Sequence, residues 1–273
     1  TLMHLSLSAQ TYHLSTRLSE ISGIDLINDS TLVAHNDGGH EPILYLLNLS
    51  GEIQKHVTIS NAANLDWEDL TVDKTHIYIG DIGNNLNNRK NIIIYKVSIA
   101  DVLTKEEVTA EYIKISYSEQ IAFPPKKAGL RFDAEALAVY KDNLYIFTKN
   151  RMSPTDGMTW VYQVSTKPGT YTLTHETEIF IGKGGFWKDA ITAADVKGDE
   201  FFLMTYNRIL IKEQNADGEF TGDRSVKFKS FSQKEAIVVK SNLEIFVADE
   251  KQVLLGGPRL YKLNPLELES STE

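Results

Sequence analysis

The sequence contains no cysteine. That excludes a disulfide framework, a thiolate metal site and a cysteine nucleophile, and with them zinc fingers, iron–sulfur clusters and thiol oxidoreductases. It leaves the redox compartment open, since a cysteine-free chain suits either. Basic residues are in deficit: 28 Lys and Arg stand against 37 Asp and Glu, a formal charge of −9. Nucleic-acid binding calls for the opposite, a basic footprint that displaces phosphate counterions. No apolar run approaches the roughly 20 residues of a membrane-spanning helix. Helical periodicity is also scarce, the best stretch being Ile99-Ala100-Asp101-Val102-Leu103-Thr104, enough for one short turn between strands. A Gly-x-Ser-x-Gly elbow is missing, and Gly182-Lys183-Gly184-Gly185 lacks the Ser or Thr of a phosphate loop.

What remains is an ordinary globular composition of 273 residues, 42% hydrophobic and 24% charged. No linker divides it, so one domain over residues 1–273 is expected. Its organisation is a repeat. An acidic or polar residue followed by small and β-branched apolar ones recurs at Glu20, Glu68, Glu135, Thr192 and Glu235, with spacings of 48, 67, 57 and 43 residues. A second apolar run follows each time: 32–37, 77–81, 144–149, 201–206 and 245–249. Third runs lie at 44–47, 92–95, 160–164 and 260–263, and fourth runs at 112–115 and 178–181. Continuous β-branched and aromatic runs of this kind suit strands covered on both faces. Repeats of 40–50 residues built from about four strands point to an all-β fold, the β-propeller.

The last repeat stops after its third run, while the N-terminal region offers a spare strand at Thr11-Tyr12-His13-Leu14. Closing the ring with that strand removes the last open edges. The expectation is therefore a five-bladed propeller closed by its N-terminal strand, six blades being the alternative count.

In a propeller the innermost strands begin at one mouth of the central funnel, where the second strands end. Glu20, Glu68, Glu135 and Glu235 are thus expected to form a ring of carboxylates about the axis. The second-strand ends add Asn36, Asp37, Asp81 and Asn85 on an acidic rim, with Lys149, Arg151 and Arg208 on a basic one. Converging carboxylates raise one another's pKa, and a cation relieves that cost. Oxygen donors without cysteine or paired histidine favour a hard ion, Ca2+, over zinc. The alternative is that each Glu hydrogen-bonds backbone N–H groups of a neighbouring blade. For the basic residues the alternatives are an anionic ligand held by arginine and internal ion pairing with the Glu ring. Gly38, Gly39 and Gly83 read as turn residues.

With the repeats aligned, the chain resembles a group of secreted bacterial β-propeller proteins and, more distantly, the phytase-like and SdiA-regulated-type propellers. The stretches that carry the likeness are 18–23, 34–39, Asp66-Trp67-Glu68-Asp69-Leu70, 79–85, Asp133-Ala134-Glu135-Ala136-Leu137, 148–151 and 235–237. The resemblance implies export to the periplasm or beyond, and calcium as the ion. It transfers no catalytic residue, since propellers host lactonases, phytases, lectins and scaffolds alike. The functional expectation is a metal-containing propeller that binds a small anionic or carbohydrate ligand in its top funnel. The alternatives are a metal-dependent hydrolase of a lactone or phosphoester, and a structural propeller that docks a partner protein.

Overall fold

Each repeat folds into an antiparallel sheet whose two inner strands are buried on both faces, while its outer strand is largely exposed. The computed structural model describes residues 10–241, 244–251 and 256–264. Blade 1 comprises Ile21–Asn28, Thr31–Asn36, Ile43–Asn48 and Ile53–Ile59; blade 2 comprises Trp67–Val72, His76–Asp81, Ile92–Ser98 and Glu111–Tyr117. Blade 3 runs through Ala134–Tyr140, Asn143–Thr148, Met158–Ser165 and Thr177–Phe180, and blade 4 through Ile191–Lys197, Glu200–Thr205, Arg208–Gln214 and Phe220–Lys227. Blade 5 takes Lys234–Ser241, Glu244–Asp249 and Arg259–Leu263 from the end of the chain and its outer strand, Gln10–His13, from the beginning. The expected closure is present: Gln10 pairs with Lys262 and His13 with Arg259, antiparallel.

The long spacing after Glu68 is an insertion, not a hidden blade. It holds the helix Ile99–Thr104, capped by Ser98, and the strand Glu107–Val108, which pairs in parallel with the outer strand of blade 1. A loop strand of blade 3, Gly169–Leu173, covers the outer edge of blade 2 in the same way. Two blade edges that would otherwise lie open are thereby paired.

The core is not one cluster but five, each lying between neighbouring blades. Val33, Leu44 and Val57 of blade 1 meet Trp67, Leu70 and Ile77 of blade 2. Ala236, Val238 and Phe246 of blade 5 meet Ile24, Leu32 and Ala34 of blade 1 across the closure. Buried polar side chains fasten the inner strands together. The Asp69 carboxylate accepts from Leu70 N at 2.9 Å, Leu137 N of blade 3 at 2.9 Å and Ala194 N of blade 4 at 3.1 Å. Asp25 accepts from Val72 N at 2.6 Å, Thr71 from Val139 N at 3.0 Å and Asp195 from Val239 N at 2.5 Å. Facing Asp69, the corresponding positions of the other inner strands are small: Gly23, Ala136, Ala193 and Ala236.

Each inner strand carries a β-bulge near its start, and the bulges correct the sequence alignment. The register skips Glu68, Glu135, Thr192 and Glu235 in blades 2 to 5, but Ser22 in blade 1. The axial position of blade 1 is therefore Ser22, whose hydroxyl donates to the carbonyl of Glu68. Glu20 lies two residues earlier, level with Asp66, Asp133 and Gln233. The backbone confirms it: Asp37 N donates to Glu20 O at 2.7 Å, as Lys149 N does to Asp133 O at 2.7 Å and Glu250 N to Gln233 O at 3.2 Å. A bulge turns one extra side chain toward the axis, so aligning Glu20 with Glu68 sets blade 1 two residues out of register.

Candidate metal centre and neighbouring cavity

Three carboxylates meet at the mouth of blades 1 and 2. One ligand atom each from Asp37, Asp66 and Glu68 lies within 4.8 Å of the other two. Asp37 follows the second strand of blade 1, Asp66 precedes the inner strand of blade 2, and Glu68 is its bulge residue. The backbone makes room for them. A side chain at Gly83 would collide with Glu68 Oε1 and Asp66 Oδ2. A Cβ at Gly38 would stand 2.7 Å from Leu65 O and 2.9 Å from Asp66 Oδ1. These two glycines serve the carboxylates rather than the turns alone.

The electrostatics of this group are lopsided. Glu68 is buried, and neither of its carboxylate oxygens has a hydrogen-bond donor among the described residues. Burial, together with Glu135, Asp37, Asp133 and Asp66, holds its carboxyl well above the usual carboxylate range. Burial pushes Asp37 up to about 7, with Glu135, Asp66 and Glu250 adding to it and the Gly38 N–H opposing. Asp66 is pushed to about 6, again by burial, and Arg89 relieves it only from 3.8 Å.

A second triad, Glu68, Asp133 and Glu135, shares Glu68 with the first. Here two of the three carboxylates, Asp133 and Glu135, have cations beside them. Lys149 Nζ lies 2.9 Å from Glu135 Oε2 and donates to Tyr206 OH at 3.1 Å. Arg151 bonds Asp133 through Nε, and through Nη2 it reaches Asn85 Oδ1 and, at 3.2 Å, Glu135 Oε1. Burial opposes the Lys149 charge, but Glu135 and Glu235 hold the ammonium well above its ordinary value. Glu235 is raised by burial and by Glu135 and Glu250, while Lys149 and the Tyr206 hydroxyl pull it back.

The remaining expected site residues have partners of their own. Glu20 is half exposed and pairs with His40 at 2.8 Å. Asn36 is buried, accepts from Glu20 N at 3.3 Å and donates to Arg17 O at 2.7 Å, so it shapes a loop. Asp81 is fully buried and tied to Arg89 at 2.7 Å. Arg208 holds Ile181 O at 2.6 Å and Asp189 at 2.7 Å. The basic rim thus exists, but its charge is consumed by internal ion pairs, because each cation lies against a carboxylate of its own or a neighbouring blade. Asp66 and Asp133 were not among the expected ligands. Their signal was present as Asp-x-Glu, repeated in blades 2 and 3.

Beyond Arg151, between blades 3 and 4, lies a cavity of about 400 Å³ lined in part by Asn85, Leu130, Met152 and Phe186. An aromatic ledge continues from it. Phe186, Trp187, Tyr206 and Phe231 touch in sequence at ring separations of 5.4, 5.4 and 6.3 Å.

No protein-family model and no curated protein sequence matches the chain. Among solved structures, glutaminyl cyclase of Myxococcus xanthus is similar over 94% of this chain and 95% of its own, with a TM-score of 0.54 and 13% identity. The calcium-binding protein regucalcin of Agrobacterium tumefaciens covers 93% and 95% with a TM-score of 0.49 and 10% identity. The PQQ-bound aldose sugar dehydrogenase of Streptomyces coelicolor covers 94% and 98% with a TM-score of 0.48 and 7% identity. At such identities a likeness speaks to architecture alone, and here it agrees with the strand order: the chain is a five-bladed β-propeller.

Proposed function

We propose that the protein is a hard-cation-binding propeller that holds Ca2+ through Asp37, Asp66 and Glu68 and presents it to a small molecule at the top face. The observation that carries this reading is Glu68: a buried carboxyl among four others, with no donor, above a glycine whose side chain would fill the space. An all-oxygen donor set of three carboxylates suits Ca2+ better than a softer ion. The bound ion supplies the positive charge that Glu68 lacks, a role Lys149 and Arg151 already play for Glu135. Placement in the periplasm or outside the cell belongs to the same proposal, resting on the resemblance of the repeats to exported propellers.

The test is calorimetry with CaCl2 on dialysed protein, alongside thermal unfolding. One saturable site is expected, lost in Asp66→Asn. An ion that binds only the folded state stabilises it by about 2.7 kcal/mol at one hundred times its Kd. Absence of both heat and thermal shift would retire the proposal.

A further inference from the structure

The cavity between blades 3 and 4 has features that the cation reading does not use. Its walls are held in place without a ligand. Ile181 N donates to Gly157 O at 2.9 Å, Arg208 clamps Ile181 O and Asp189, and Asp189 in turn accepts from Gly184 N. Gly157 and Gly182 adopt φ of +80° and +153°, and a side chain at Gly157 would strike the Gly182 carbonyl. These loops leave open space where a denser chain would fill it.

The chemistry of the lining is selective. Arg151 is fixed by Asp133, Asn85 and Glu135, and its guanidinium stacks 5.3 Å from the centre of the Phe186 ring. These bonds use Nε and Nη2, so Nη1 has no partner among the described residues. Asn85 spends its Oδ1 on Arg151, and its Nδ2 is likewise without a partner among them. The inner wall therefore offers donors. Leu130, Met152 and Phe186 add apolar surface to the same lining. Charge around the cavity is balanced: Lys149, Arg151 and Arg208 are matched by Asp133, Glu135 and Asp189. An anion would have to compete with the two carboxylates already on Arg151. A neutral acceptor meets no such competition, because a carbonyl oxygen uses the free N–H groups without adding charge.

We infer that this cavity binds a neutral carbonyl compound, an ester, lactone or amide with an apolar substituent, its carbonyl oxygen toward Arg151 and Asn85 and its substituent against Met152 and Phe186. None of the residues lining this cavity belongs to the Asp37, Asp66 and Glu68 group, so binding is expected with or without a cation there.

Methionine methyl labelling tests it directly, because Met152 lines the cavity whereas Met204 is buried between blades 4 and 5. The probes are methyl hexanoate, hexanamide and hexanoate as the free acid, each titrated with and without CaCl2. The ester and amide should shift the Met152 methyl signal saturably and leave Met204 unchanged, with or without CaCl2. The free acid should bind at least tenfold more weakly, and Phe186→Ala should weaken the ester at least tenfold while the Met204 signal reports an intact fold. The inference is overturned if neither neutral probe saturates Met152, if the acid binds as tightly as the ester, or if Phe186→Ala changes nothing. Asp66→Asn, which removes the proposed cation, should leave ester binding intact; its loss there would place the ligand in the acidic group instead.

Discussion

Glu68 is the residue on which most of the site's energetics turn. Desolvation and like charge both penalise its ionised form, and Asp37 and Asp66 share the penalty. Their pKa values of about 7 and about 6 lie above those of an unfolded chain. The cation-free folded protein therefore retains protons that the unfolded chain has already released, so stability falls as pH rises from about 4 to about 7. His35 works in the opposite sense, since burial lowers it to about 4, but it is one group against several carboxyls. Urea midpoints measured at pH 5 and pH 7.5 should differ more without Ca2+ than with it, because the ion replaces those protons. An equal difference in both conditions would remove the link between the ion and these acids. At Gly83 the argument is steric. Gly83→Ala puts a methyl group against Glu68 and Asp66, so Ca2+ affinity should fall at least tenfold, a loss of about 1.4 kcal/mol, while far-ultraviolet circular dichroism stays native. Unchanged affinity in calorimetry would show that the cradle is not where the ion sits.

At the scale of the strand, the repeat was legible because its second runs are dense in Ile, Leu, Val, Phe and Tyr and its turns are rich in Asn, Asp and Gly. Five blades, the short helix at 99–104 and the closing N-terminal strand all follow from those patterns. The bulges do not. Nothing in Ser19-Glu20-Ile21-Ser22 says which polar residue the extra backbone step turns toward the axis, and an acidic residue is the natural choice for a reader. The structure chooses Ser22, and Glu20 goes to the rim with His40. Internal pairing of Arg151 or Arg208 with the Glu ring is legible as an expectation, but the part of Asp133 and Lys149 is not, since Arg151 lies 16 residues from Glu135 along the chain and 18 from Asp133 and meets them only because the first two strands of blade 3 pair antiparallel. The inner strands also carry a fastening that no periodicity announces, the Asp69 carboxylate shared by blades 2, 3 and 4. Asp69→Ala should cost at least about 3 kcal/mol, as each stranded buried N–H is worth about 1–3 kcal/mol. Urea unfolding gives the measurement, and a loss below 1 kcal/mol would mean that the axis repacks or takes in water.

For the whole molecule, closure is carried by four residues, 10–13, paired with four others, 259–262. Gln10–His13 completes blade 5, and the cluster of Leu14, Leu18 and Leu260 behind it is buried. Deleting residues 1–14 should lower the unfolding midpoint by several degrees, since each kcal/mol lost moves it by about 2–4 °C at this size. An unchanged melting curve would assign the seam to the packing of blades 5 and 1 alone. The same pairing sets an order of events on the ribosome. The closing strand is made before the other strands of the ring, and its partner, Arg259–Leu263, after them. That strand stays without its partner until residues 259–263 have left the exit tunnel, and only then does the ring seal. Such distant pairing is slow to form, so a stalled or truncated product would be left with two sticky ends, open to joining with those of its neighbours.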